Sequence, residues 1–336
     1  MNSKYYPMNC AEVLDFVLEI YKKSFAKQVA VSVIFTVIFF ILVYVLLILG
    51  VLTAAAVFAG AAFDGGFGLG FGGGVAIAIF LLFLILGFAV YGALTSTGSA
   101  LITKHTFLGE HCDVGGVVKD SFKKIWIATA AALANLIVLI PAFFILGLII
   151  YLYIIILGGF FEFTLTLWPI IIITLLLVLL MLAFFLACGT VTLMSMKVAI
   201  FEGRWFFGAV KRSFTLVKPD FLKLMGLLAV WSVVTMAATY SLESLFSIGA
   251  LLSGHFLPGE AAGIVLMSTL GFGSLFSLAL GVLLAPLSGI FSTMVYMNQR
   301  IKLEGLDIEL SLSALEVKRT DDDDNYIRTS NADGAP

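Results

Sequence analysis

The sequence predicts an all-α integral membrane protein. Six transmembrane helices form three repeats, each an amphipathic interfacial helix followed by a helical hairpin, with both termini cytoplasmic. Three observations carry this reading. The 336 residues are 61% hydrophobic and 12% charged, against about half apolar and a quarter charged in a soluble domain. The cations are confined to alternate connections. One tetrapeptide pattern, Lys-x-Ser-Phe, recurs at Lys22–Phe25, Lys119–Phe122 and Lys211–Phe214, each time before a long apolar run.

The elements follow from the uncharged stretches 28–63, 65–103, 125–161, 163–196, 224–242 and 261–299. A crossing needs roughly 20 apolar residues, so each accommodates one helix. The longest exceed the hydrocarbon thickness, and breaks or bends are expected near Gly50, Pro141, Pro169 and Pro286. The first run is too long for a signal-peptide core and is expected to remain as an anchor.

The basic residues fix the orientation. Lys4, Lys22, Lys23 and Lys27 precede the first run. Lys104, Lys119, Lys123 and Lys124 lie between the second and third. Lys197, Arg204, Lys211, Arg212, Lys218 and Lys223 surround the fourth-to-fifth connection. Arg300, Lys302, Lys318, Arg319 and Arg328 follow the sixth, completing all nineteen. The remaining connections carry Asp64, Glu162, Glu243 and Glu260 instead. Lys and Arg in short loops stay cytoplasmic, which six crossings satisfy without exception. The expected location is the cytoplasmic (inner) membrane, with both termini in the cytoplasm. A cysteine at position 121 or 213 is expected to be out of reach from the exterior.

Each Lys-x-Ser-Phe closes a segment of helical period. Val13, Leu14, Val17, Leu18, Tyr21 and Phe25 share one face, opposite Glu12, Asp15, Glu19, Lys22 and Lys23. Val114, Val117, Val118, Phe122 and Ile125 oppose Asp120, Lys123 and Lys124. Phe206, Phe207, Val210, Phe214 and Val217 oppose Lys211, Arg212 and Thr215. Such helices are expected to lie flat in the interface, apolar side down, with a polar break before each span. A second landmark marks each return: Phe107-Leu108-Gly109-Glu110, Phe201-Glu202-Gly203 and Leu303-Glu304-Gly305. The repeat units are about 10–110, 111–203 and 204–305, within a membrane domain spanning 1–317. Units with two crossings each enter from one side, so their axis lies along the membrane normal and inverted repeats are excluded. Leu306, Ile308, Leu310 and Leu312 alternate with polar residues, as in a short strand or an irregular helix. With its acidic block Asp321–Asp324, the stretch 318–336 reads as a disordered cytoplasmic tail.

Chemistry-bearing patterns are sparse. Cys10, Cys112 and Cys188 lack metal spacing and read as free thiols. Asp64–Gly74, DGGFGLGFGGG, matches a dinucleotide glycine pattern only by composition. It is expected to lack the preceding strand, the following helix N-terminus and the distal acid of that site, and reads as a flexible turn. His105, Glu110, His111, Cys112 and Asp113 form an irregular and incomplete metal set; His255 belongs to the opposite side. Ser24, Ser121 and Ser213 have no shared base and are not nucleophiles. Asn135 is the clearest polar group at depth. Thr95, Ser96, Thr97 and Ser99, with Ser232, Thr235 and Thr239, read as helix-packing residues. The midplane lacks the carboxylates of ion-driven carriers.

Three segments, AEVLDFVLEIYKKSF, VAIFEGRWFFGAVKRSFTLVKPDFLKLMGL and VYMNQRIKLEGLDIEL, resemble the membrane domain associated with bacterial glycerophosphodiester phosphodiesterases and its stand-alone prokaryotic relatives. Arg300, Glu304 and Gly305 match that pattern, while Asn298 and Gln299 depart from it. The resemblance implies the membrane domain alone, because the catalytic barrel has no room in this chain.

The functional expectation is a non-catalytic membrane-organising module without cofactor, metal or nucleic-acid partner. Lys22, Lys23, Lys119, Lys123, Lys124, Lys211, Arg212 and Arg300 are the candidate contacts to anionic phospholipid headgroups or a protein partner. The alternatives are a transmembrane transporter subunit docking an ATPase, and a lipid-modifying enzyme built on the His105–Asp113 loop.

Overall fold

The structure is a computed structural model describing residues 6–63, 67–110, 112–163, 168–256, 260–306, 308, 309 and 312. Its helices are α1 (Cys10–Phe63), α2 (Phe67–Leu108), α3 (Val114–Lys123), α4 (Ile125–Phe163), α5 (Trp168–Glu202), α6 (Phe207–Val217), α7 (Phe221–Phe256) and α8 (Glu260–Glu304), with a 3₁₀ turn at Lys218–Asp220. Six of them are long and apolar enough to cross a membrane. No strand occurs among the described residues.

Local chemistry sets the helix ends. Asn9 precedes α1, and its N–H donates to the Glu12 carboxylate at 2.8 Å, half of a capping box. Asp113 caps α3 by accepting from the Gly116 N–H at 3.1 Å. α2, α5 and α8 each stop before a glycine in the left-handed region: Gly109 at φ 75°, Gly203 at 68° and Gly305 at 67°. Glycine enters that region without the Cβ penalty, which frees its N–H to bond back into the last turn. The Gly203 N–H donates to Ala199 O at 3.1 Å, and that of Gly305 to Ile301 O at 3.3 Å.

α2, α5 and α8 touch one another, and each remaining span bridges two of them. α1 packs on α2 and α8, α4 on α2 and α5, and α7 on α5 and α8. α3 lies against α1, α2 and α4; α6 lies against α4, α5 and α8. The buried core sits at the end of the bundle where α2, α5 and α8 finish. It is built from Val13, Val17 and Ile20 of α1, Met194 and Val198 of α5, Leu216 of α6, and Ile290, Met294 and Tyr296 of α8. Toward the other end the large apolar side chains of α1, α4 and α5 face outward, as a lipid surroundings permits.

Small residues set the close approaches. A Cβ on Gly98 would stand 2.7 Å from Val31 Cγ1, and one on Gly289 would stand 2.5 Å from Ser99 Cβ. Ala93, Ala100 and Ala128 are buried together with Ile200 where α2, α4 and α5 meet.

Several expectations are corrected. The first amphipathic segment is not a separate interfacial helix. It runs unbroken into the first span as α1, because residues 10–49 contain neither Gly nor Pro. At 54 residues α1 is about 81 Å long. α3 and α6 are separate helices, but they do not lie with their whole apolar face toward lipid. α6 packs Ala209, Ser213, Leu216 and Val217 inward and leaves Phe207 and Phe214 exposed. Of the four positions at which breaks or bends were expected, Gly50, Pro141 and Pro286 lie inside continuous helices and Pro169 at the start of one. Gly50 lies inside α1, where a Cβ would meet the Phe80 ring at 2.8 Å. Pro169 is the second residue of α5, where its missing N–H costs little. Pro141 and Pro286 lie within α4 and α8. Pro286 leaves the carbonyl four residues earlier, Val282 O, without its helical donor, and the Ser32 hydroxyl of α1 donates to it at 3.0 Å. Residues 67–74 of the glycine-rich stretch are helical rather than a turn; 64–66 lie outside the described residues. Beyond Gly305, residues 306, 308, 309 and 312 are helical, not strand, and the predicted tail 318–336 lies outside the described residues.

Candidate functional site

The end of the bundle at which α2, α5 and α8 finish gathers most of the described cations, and is called the basic end below. There the three Lys-x-Ser-Phe segments share one exposure pattern. Lys22, Lys119 and Lys211 are exposed. Ser24, Ser121 and Ser213 are at most 2% exposed. Phe25, Phe122 and Phe214 are between 41% and 55% exposed. The buried serines are all satisfied. Ser24 donates to Ile20 O at 2.7 Å, Ser121 to Val117 O at 2.8 Å and Ser213 to Val191 O of α5 at 2.6 Å.

The eight candidate cations divide into two groups. Lys22, Lys119 and Lys211 make no ion pair among the described residues. Lys23 pairs with Glu19 at 2.6 Å and Lys123 with Asp120 at 2.8 Å, both at the surface, where such pairs contribute little. The Lys123 hydrogen bond holds the Asp120 carboxyl below its usual range. Lys124 turns inward and donates to Ile200 O at 2.9 Å; burial, with Lys104 nearby, holds its ammonium below the usual lysine range. Arg212 and Arg300 are partly buried and paired with carboxylates. The Arg212 guanidinium bridges Glu202, at 3.1 Å, and Glu304. Arg300 meets Glu304 at 2.9 Å, and the Tyr296 hydroxyl donates to Glu202 at 3.1 Å. Glu202 and Glu304 each precede a corner glycine, so Arg212 of α6 ties the ends of α5 and α8 together.

The histidine loop is likewise committed to structure. His105 Nδ1 stands 2.7 Å from Glu110 Oε2, and Asp113 is the α3 cap. Cys112 is buried, which pushes its thiol up. His111 lies outside the described residues. No group of three metal-ligating side chains occurs among the described residues.

A second polar region lies inside the bundle. A cavity of about 430 Å³ opens between α1, α2, α5, α7 and α8. Its polar wall comprises Gln28, Ser32, Thr95, Ser96, Ser99, Thr192, Lys197, Ser288 and Ser292, and its apolar wall includes Val31, Phe35, Leu193 and Pro286. Lys197 is 1% exposed. Its ammonium donates to Ser96 Oγ at 2.8 Å and Ser96 O at 3.1 Å. Gln28, also 1% exposed, reaches Ser99 O and Thr103 Oγ1 at 3.4 Å. Asn135 is drawn into the α4–α5 contact, accepting from Ser195 Oγ at 2.8 Å. Ser232, Thr235 and Thr239 bond back to carbonyls of α7 itself.

Lys197 is the residue that sequence reasoning missed, by using it only to mark the fourth-to-fifth connection. Its helical phase carried the signal. Lys104 and Arg300 each stand five residues before a corner glycine and are partly exposed. Lys197 stands six before Gly203. One residue rotates a helical side chain by about 100°, from the outer face to the inner one. At the same register α2 and α8 also bury polar side chains, Thr103 at 0% and Gln299 at 1% exposure, and Gln299 Oε1 makes no hydrogen bond among the described residues.

No family model, curated protein or solved structure matches this chain, so the likeness to the phosphodiesterase-associated membrane domain rests on its three quoted segments alone.

Proposed function

We propose that this protein is a non-catalytic, multi-pass module of a prokaryotic inner membrane that gathers anionic phospholipid at its basic, cytoplasmic end. The observation that carries this is the shared exposure of the three tetrapeptides. Each offers an outward lysine and an outward phenylalanine, locked in place by the buried serine between them. Phenylalanine suits the acyl boundary, and a lysine near an anionic surface contributes about 1 kcal/mol. The threefold repeat is part of the proposal. It is supported by the corner glycines, by the cyclic packing of spans around α2, α5 and α8, and by the buried polar register at Thr103, Lys197 and Gln299.

The test replaces Lys22, Lys119 and Lys211 together by Gln and measures the phosphatidylglycerol that co-purifies with the solubilised protein. Three contacts of about 1 kcal/mol weaken a shared lipid site by roughly a hundredfold. Unchanged anionic lipid content refutes the reading. The orientation is tested by single cysteines at 119 and 211. Positions 121 and 213 are buried and would not label from either side.

The transport alternative is favoured by one observation, the polar cavity between the spans. It requires an ATPase or another energising partner to co-purify with the protein.

A further inference from the structure

We propose that the cavity between α1, α2, α5, α7 and α8 is an internal binding site for one phosphoryl group, with the Lys197 ammonium as its counter-charge. This site is separate from the surface lysines and does not rest on the reading given for them.

The argument starts from an unbalanced donor count. An ammonium has three N–H donors and no acceptor. Lys197 uses its donors on two atoms of one residue, Ser96 O and Ser96 Oγ. No carboxylate lines the cavity, and no Asp or Glu oxygen lies within 4 Å of Lys197 Nζ among the described residues. A buried charge lacking a counter-charge is costly unless something compensates it.

The hydroxyls around it extend the imbalance. Ser96 Oγ accepts from Lys197, so its own proton is available to a further acceptor. Ser288 Oγ makes no hydrogen bond among the described residues. Ser32 and Ser99 are engaged by Val282 O and Pro286 O, which fixes the wall next to the Pro286 step. The cavity therefore presents one buried lysine amine, able to carry the positive charge, and spare hydroxyl donors, with no carboxylate among its lining residues. An oxygen-rich anion matches that set, because each oxygen accepts from several donors at once and charge-assisted bonds are the strong ones. The volume of about 430 Å³ lies in the range of small-molecule sites, with room for a phosphoryl group and the glycerol-sized stem attached to it. Lys197 stands five residues, about 7.5 Å along the helix, from the end of α5 at Glu202. That depth is reachable both by a lipid headgroup from the bilayer and by a free phosphate from solution.

The experiment uses the full chain in neutral detergent at constant ionic strength. Thermal unfolding is followed with sodium chloride, with sodium phosphate, and with short-chain phosphatidylglycerol against short-chain phosphatidylcholine. At a hundredfold excess over Kd the bound anion raises Tm by about 5 °C. A shift with phosphatidylglycerol alone assigns a lipid headgroup, and one with phosphate alone assigns a free anion. Either shift is lost in Lys197→Met, a variant of similar volume, reduced in Ser96→Ala, and retained in the triple Lys22/Lys119/Lys211→Gln variant. The inference is overturned if neither phosphate nor phosphatidylglycerol shifts the wild-type protein. It is equally overturned if the shift survives Lys197→Met, or disappears only in the surface triple variant.

Discussion

Gly289 and Ser99 mark the tightest approach of α2 to α8, and they allow a sharp test of the packing. In Gly289→Ala the new methyl would lie 2.5 Å from Ser99 Cβ, with the Ser99 hydroxyl also in its path. Ordinary carbon contacts are about 3.5–4 Å, so α2 and α8 must part by about 1 Å. Overpacking of this kind costs about 1–3 kcal/mol. The shift also weakens the Ser99-to-Pro286 hydrogen bond, now 3.1 Å, of a class worth about 0.6 kcal/mol in membranes. Ser99→Gly alone loses that bond and some helix propensity, together about 1 kcal/mol. In the double variant the alanine methyl takes the space that Ser99 vacates, so the cost returns to about 1 kcal/mol instead of the 2–4 kcal/mol sum, a coupling of about 1–3 kcal/mol. The assay is unfolding of the four detergent-solubilised proteins by titration with a denaturing detergent. Additivity within about 0.5 kcal/mol would refute the close approach.

Two further outcomes follow from the basic end. Arg212→Gln leaves Glu202 and Glu304 facing each other without their shared cation. With Arg212 23% exposed and Glu202 13% exposed, this costs about 2 kcal/mol, and Arg212→Lys recovers less than half because a single ammonium cannot span both carboxylates; unfolding midpoints of the three proteins decide it. Gly203→Ala meets open space at its Cβ but retains φ near 68°, so its cost of about 1–2 kcal/mol is purely conformational. Gly203→Asn is milder, and equal stability of all three would remove the cap assignment.

Composition and run length made the spans legible, because a bilayer crossing imposes a length that a sequence cannot hide. The corner glycines were legible as recurring Gly-Glu and Glu-Gly pairs, although the pattern alone carries no φ angle. The surroundings of Arg212 and Lys197 were not legible, for one reason. Counting a cation as the end of a hydrophobic run treats every charge as solvated, whereas helical phase decides whether it points to water, to a carboxylate or into the bundle. Asn298 was beyond any local reading. Its side chain accepts from the Met8 N–H at 2.8 Å and donates to Met8 O at 3.1 Å, a pairing between positions 290 residues apart. α8 continues through Pro286 where a neighbour compensates, as Ser32 does for Val282 O.

The clasp between Met8 and Asn298, and the packing of α1 on α8, bear on the order of synthesis. α1 leaves the ribosome before its partners and has one flank covered by α2 at once. Its other flank waits for the last span, roughly 250 residues later, as the distance from Ser32 to Val282 records. Until then the Ser32 hydroxyl and the Met8 backbone face lipid, water or an insertion factor. Any truncation that stops before Asn298 therefore strands α1 as well as the shortened end.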